Sequence, residues 1–468
     1  MAFMLKHTLA VLASALSLTA FPVQAQNAEL AGAPDRIVPD NQHQVRLSYA
    51  PIVSEAAPAV VNVYSTRTVR QRVSFFSNRT AEREQNSLGS GVIVEPSGIV
   101  VTNHHVVANS DALRVVLADR REFEAEILLT DEATDLAVLR IEADEPLPVL
   151  PFDMTSDNEV GDLVLAIGNP FGVGQTVTSG IVSALARTDV GRADFGSFIQ
   201  TDAAINPGNS GGALVNMEGE LIGVNTMIFS RSGGSNGIGF AIPVEMVRRV
   251  VDSAMSEGEL IRPWLGARLQ PVTGDLADVF GLDRPRGAVV NEIYPGAAAD
   301  DAGLLRGDIV LAVDGRDVND ESGARFHLAT RANGEDARFT ILREGETLDV
   351  DVPVLPAPGI REPDRVRLEG AHPLDGIILV ELSPAFNETV GVDPFADGLA
   401  IFRVGRRTQA NYAGFRPGDI LIEVMGEPVE TVEDVQDVLA RFEGERRWPV
   451  VIERRGERQE ATLNLRRR

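Results

Sequence analysis

Between Leu47 and about Gly258 the apolar positions fall in short β-branched runs: "AVVNVYS", "GSGVIV", "GIVVTNHHVV", "LRVVLA", "DLAVLRI", "DLVLAIG", "TSGIVSAL", "ALVN", "LIGVNTMI" and "GIGFAIP". Gly, Asn, Asp and Pro stand between them. Short, regular strands broken by turn formers predict an all-β barrel or sandwich. After Pro243 the period changes. Val247, Val250, Val251 and Ala254 in "VEMVRRVVDSAMSEG" fall at helical spacing and predict a helix that closes this unit. "IRPWLG" then opens a different text.

The C-terminal half repeats itself. "AGLLRGDIVLAVDGRDV" (302–318) aligns without a gap with "AGFRPGDILIEVMGEPV" (413–429). Each copy continues into an alternating strand, Ile309/Leu311/Val313 in one and Ile420/Ile422/Val424 in the other, expected to turn one apolar face inward. "TVEDVQDVLARFEG" follows the second copy. Thr431 and Asp434 form a capping-box pair there, and Val435, Val438, Leu439 and Phe442 share a helix face. A period of roughly one hundred residues marks duplicated domains rather than a solenoid. "LPAPGIREP" (355–363) reads as a Pro-rich linker, so the expected units are 47–258, 261–355 and 364–468.

The N-terminus adds a compartment. Lys6 precedes the apolar "TLAVLASALSLTA" (8–20), and "VQA" at 23–25 supplies small residues at a cleavage site. This is the layout of a secretory signal peptide spanning residues 1–25, cut after Ala25. The apolar stretch is short for a bilayer span. Of 468 residues, 68 are acidic and 43 basic, a formal net charge of −25 that disfavours nucleic acid as a partner. With no cysteine and six histidines, none in an HExxH pattern, the chain predicts no metal site and no cofactor. Hydrolytic chemistry would fall to hydroxyl, imidazole and carboxylate.

"TDAAINPGNSGGALVN" (201–216) carries that chemistry. Gly208, Gly211 and Gly212 crowd one hydroxyl, Ser210, as a nucleophile beside preorganised backbone donors would require. A glycine-rich hairpin loop is the plainer reading. A serine nucleophile needs a base and an orienting carboxylate. In "VTNHHVV", strand alternation sends Thr102 and His104 to one side and Asn103 and His105 to the other, without choosing between the imidazoles. "TDEATDLAVLRI" offers Asp131, Glu132 and Asp135, the last at a strand start. His327 and His372 are expected on exposed surface.

With "TNHHVV", "TDLAVL" and "TDAAINPGNSGGAL" in that order, the chain resembles the HtrA/Deg (Do-like) serine endoproteases from about Leu47 onward. The resemblance implies a mainly β molecule: a chymotrypsin-like double β-barrel protease domain followed by two α+β PDZ domains. It implies a triad of His105, Asp135 and Ser210, with Gly208, Asn209 and Ser210 forming the oxyanion hole. His104 stands where the family usually has asparagine, as a structural substitute. Ile228 and Ile238 would wall an apolar S1 pocket, implying cleavage after small or medium apolar residues. Arg187 would be a regulatory arginine. The peptide-binding loops would be Trp264, Leu265, Gly266 and Ala267 in the first repeat and Leu374, Asp375, Gly376 and Ile377 in the second. The implied partners are unfolded or misfolded proteins and C-terminal peptides, in a periplasmic trimer or an assembly of trimers. The corresponding alternative is a peptide-binding chaperone whose protease domain is mostly inactive.

Overall fold

The apolar runs close into two barrels of six antiparallel strands each. The first barrel runs, in neighbour order, through Val60–Arg72, Thr80–Glu95, Ile99–Asn103, Leu136–Ile141, Glu122–Asp131 and Ala112–Val116. The second runs through Ala213–Val215, Leu221–Ile228, Gly239–Pro243, Phe198–Thr201, Thr176–Arg187 and Leu163–Gly168. The structure is a computed structural model that describes residues 48–72, 80–155, 157–169, 174–187, 197–206, 208–228, 235–256 and 260–465. At 69–72, 80–86, 186, 187 and 228 it describes the main chain only.

Each barrel has its own core, and a third core lies between them. Val61, Ile93, Val100 and Leu139 fill the first barrel, and Val164, Ile199, Leu214 and Ile222 the second. The helix Val244–Ser256 seals the seam with Val247 and Val250, both fully buried. A buried valine or leucine stabilises such a seam by about 1.5–3 kcal/mol. Phe326 and Ala329, from the first C-terminal repeat, join this same core. Residues 66–72 and 80–88 of the polar stretch form part of a long ribbon, whose first strand pairs from Val60↔Val92 out to Arg72↔Thr80. Its Phe75–Phe76 pair lies outside the described residues.

Both C-terminal repeats are sheets flanked by helices, and the A-G-x-x-x-G-D motif has the same structural job in each. Asp308 accepts from the Leu305 amide and pairs with Arg343, whose guanidinium also reaches the Gly303 carbonyl. Asp419 repeats the pattern with the Arg416 amide, Arg454 and Gly414. The helix Val432–Arg441 starts at Thr431 with the capping box intact.

Two expectations are corrected. The strand before the histidines ends at Asn103, and His104–Val107 is a helical turn, so strand alternation does not separate His104 from His105. The apolar set in each repeat strand is shifted. Register shifts after Val310 and Leu421 put Val310 with Val313, and Leu421 with Val424, in the main cores. A bulge moves every later side chain to the other face, which a simple alternation cannot anticipate. "LPAPGIREP", the expected linker, is anchored near its start: Leu355 accepts the Trp264 amide and Ala357 is buried against Trp264 and Ala385, while residues 359–362 are exposed.

The two repeats also meet each other. Trp264 packs edge-on against Tyr294 and Phe395, with ring centroids 5.4 Å from each. Arg268 lies over the Phe395 ring and binds both oxygens of Asp393.

Candidate active site

The site sits where the barrels meet, because each supplies half of it. His105 is the second residue of the helical turn after the strand Ile99–Asn103, and Asp135 ends the turn before Leu136–Ile141. That second turn is tightly specified. Asp131 accepts from the Thr134 amide and hydroxyl at 2.9 and 2.7 Å and pairs with Arg262 from the segment entering the first repeat. Asp135 itself takes a left-handed conformation, φ 56°. Its carbonyl is held by the His104 amide and the Asn103 side chain, both at 3.0 Å. Its carboxylate is thereby aimed at the imidazole.

His105 Nδ1 lies 2.9 and 2.8 Å from Oδ1 and Oδ2 of Asp135, and the His105 amide adds a bond of 3.1 Å to Oδ1. Thr226 Oγ1, from the other barrel, donates to Oδ2 at 2.6 Å. Burial pushes the Asp135 carboxyl upward, but the bond and charge of His105 and the Thr226 hydroxyl outweigh it and hold the acid below its usual range. An ionised acid on Nδ1 fixes the tautomer whose Nε2 can accept a proton. His104 does not join this pair. Its Nδ1 meets Thr130 Oγ1 at 2.5 Å. Glu132 is exposed, and Asp131 is committed to its own turn.

Ser210 stands on a loop with little freedom of sequence. Gly211 has φ +83°, and a Cβ there would run into the Ser90 carbonyl and the Thr102 hydroxyl. A Cβ on Gly212 would meet the Ile167 carbonyl. Ser90 ties the loop to the first barrel: its amide donates to the Ser210 carbonyl at 2.8 Å and its hydroxyl to the Gly208 carbonyl at 2.6 Å. The Asn209 amide is committed to the Asn206 carbonyl at 2.9 Å. The amides of Gly208 and Ser210 carry no hydrogen bond among the described residues. The Ser210 hydroxyl donates to the Thr226 carbonyl at 3.0 Å, and no bond joins it to His105 among the described residues. Thr226 therefore holds both the Asp135 carboxylate and the Ser210 hydroxyl. The sequence offers no signal for it beyond a hydroxyl in an apolar strand.

The remaining expected residues are less fully placed. Ile238 is half-buried against the central core. The Ile228 main chain pairs with Gly239, and its side chain lies outside the described residues, as does that of Arg187, whose main chain pairs with Phe198. Trp264, Leu265 and Gly266, with Gly266 at φ +71°, form an irregular loop that leads into the strand beginning at Ala267, Ala267–Pro271. The Leu265 and Gly266 amides carry no hydrogen bond among the described residues. In the second repeat, the amides of Asp375, Gly376 and Ile377 donate to the carbonyls of His372, Leu368 and Leu374. His327 and His372 are buried, not surface residues; each packs against an aromatic ring, Phe326 and Trp448. Among the described residues no cluster of His, Asp and Glu could hold a metal.

Two six-stranded barrels joined at a His–Asp–Ser site define a chymotrypsin-like serine endopeptidase, here extended by two PDZ domains. Family models agree: residues 89–224 match a trypsin-like peptidase domain, and residues 263–354 and 403–453 match PDZ domains. The chain is 37% identical over 445 residues to a probable periplasmic serine endoprotease, DegP-like, of Halomonas elongata, covering 89% of this chain and 93% of that one. It is 37% identical over 407 residues to the periplasmic pH-dependent serine endoprotease DegQ of Escherichia coli, covering 84% and 86%. Among solved structures, the HtrA-type protease AlgW with a decapeptide matches at a TM-score of 0.51 and 42% identity, over 67% of this chain and all of that one. The chain belongs to the HtrA/DegP family of serine endoproteases.

Proposed function

We propose that this endopeptidase degrades unfolded or mislocalised proteins of the cell envelope, in the periplasm and without ATP. The observation that carries the reading is an oriented His105–Asp135 pair beside a Ser210 loop whose Gly208 and Ser210 amides carry no hydrogen bond among the described residues. In catalysis Ser210 exchanges the Thr226 carbonyl for His105, which takes its proton as the hydroxyl attacks a substrate carbonyl. The two amides then stabilise the oxyanion, each contributing about 10²–10³ in rate. Asn209 sets the loop's shape through Asn206 rather than donating. Ile228 and Ile238 favour small or medium apolar residues before the cut bond, which unfolded chains expose and folded ones hide.

Residues 1–25 direct export, and the periplasmic names of the relatives support that compartment. No helix among the described residues is long and apolar enough to cross a membrane. Apolar C-terminal peptides bind the Trp264–Ala267 loop and accelerate cleavage, with Arg187 relaying that state, in trimers that assemble further. The test compares wild type with Ser210→Ala on an unfolded substrate, with and without an apolar C-terminal peptide. Cleavage by wild type alone, faster with peptide, is expected. If neither protein cleaves while both suppress aggregation, the protein is a holdase and the reading fails.

A further inference from the structure

The two PDZ domains differ at the strand edge that would receive a peptide. In the first, Ala267–Pro271 is the end strand of its sheet. Among the described residues its outer edge bears only a side-chain contact, the Leu269 amide to the Glu321 carboxylate at 3.1 Å. In the second, the equivalent strand Ile377–Glu381 is not an end strand. Val366–Arg367 pairs with it antiparallel, Val366↔Leu379 and Arg367↔Ile378. The pairing continues as the Leu368 amide donates to the Ile377 carbonyl and the Gly376 amide to the Leu368 carbonyl, both at 2.8 Å.

We propose that Val366–Leu368 is a built-in ligand that seals the second PDZ groove, leaving the first as the receptor for C-terminal peptides. The inference rests on the peptide-binding reading above and sharpens it. A ligand strand in such a groove runs antiparallel to the receiving strand, with its last residue at the loop that opens it. Val366–Leu368 runs that way, and Leu368 ends at the Leu374–Ile377 loop. Its side chain is 3% exposed and shares a core with Leu374, Ile377, Val435, Val438 and Trp448, the place a ligand's terminal apolar side chain would fill. The Gly376 amide, an expected carboxylate donor, is spent on Leu368 itself. Asp375 and Ile377 spend theirs within the same loop. A short tether gives this segment an effective concentration of roughly millimolar or more, so a micromolar free peptide does not displace it.

The test uses the full-length chain with Ser210→Ala, titrated calorimetrically with an apolar decapeptide bearing a free C-terminal carboxylate and with its amidated twin. Wild-type PDZ domains should bind about one free-acid peptide per chain. Gly266→Ala, whose new Cβ collides with Ala297, should abolish it. Leu368→Ser should raise the count to about two. Two sites without Leu368→Ser would overturn the seal, as would no gain in Leu368→Ser with unchanged melting. Hydrogen exchange of the Ser210→Ala chain needs no further variant. The Leu368 and Gly376 amides should exchange slowly and be indifferent to saturating peptide, whereas fast exchange, or exchange accelerated by peptide, would sink the proposal. If the peptide does not bind at all, the first-domain reading fails separately, and the exchange of these two amides still decides the seal.

Discussion

Thr226 serves two groups at once, its hydroxyl on Asp135 and its carbonyl on Ser210. Replacing it with valine removes only the hydroxyl. A hydrogen bond to a charged group contributes about 1.5–3 kcal/mol, so Thr226→Val should lower kcat about ten- to a hundredfold with KM little changed. Thr226→Ser should restore most of it. Steady-state cleavage of a peptide substrate checks both, and an unaltered kcat in the valine variant would remove Thr226 from the mechanism. The His105–Asp135 pair and the Ser210 loop were legible through the family resemblance, whose motifs carry a fixed order and spacing, whereas strand alternation did not choose between His104 and His105. Thr226, Ser90 and Asn103 were not legible, since each acts through a contact between segments distant in sequence. The expectation that His327 and His372 lie on exposed surface failed for a related reason. Burial of a lone histidine depends on what packs over it.

At the level of elements, the repeated A-G-x-x-x-G-D text was visible as a repeat but not as an ion pair, because Arg343 and Arg454 lie 35 residues beyond their aspartates. Removing one partner strands a buried charge. Asp419→Ala should therefore destabilise the second PDZ domain by roughly 3 kcal/mol, read by chemical denaturation. The helix Glu321–Ala329 carries a second prediction. Burial and then Arg316 lower the pKa of His327 to about 4, against the opposing influence of Glu245 and Asp314. Between about 6.5 and about 4 the unfolded chain holds a proton that the folded chain does not. Stability should fall with pH through that window, by at most about 1.4 kcal/mol per pH unit, and be intact above it. His327→Phe should flatten this dependence in melting curves taken across the window. An unchanged slope would mean another group titrates there.

Across the whole molecule, the succession of an all-β unit and two repeats followed from periodicity and duplication, and the division of that unit into two barrels from the family resemblance alone. How the modules join did not. Phe326 and Ala329 of the first PDZ domain lie in the core between the barrels, and Arg262 reaches the turn that sets Asp135. Neither residue type nor spacing announces such contacts, since an arginine before "PWLG" reads equally as a solvated linker. Arg262→Ala should thus disturb the active site from outside the barrels, lowering cleavage of a short peptide roughly tenfold while Ser210 remains in place. Equal activity would show that the turn holds its shape unaided.

The proposed mechanism makes Ser210 a nucleophile armed by His105 and Asp135. Its most direct test is intact-mass measurement of the protein treated with a fluorophosphonate, with and without an apolar C-terminal peptide. One adduct per chain is expected, located on Ser210, formed faster with peptide and absent from Ser210→Ala and His105→Ala. An adduct elsewhere, or none under any condition with the protein folded, would contradict it.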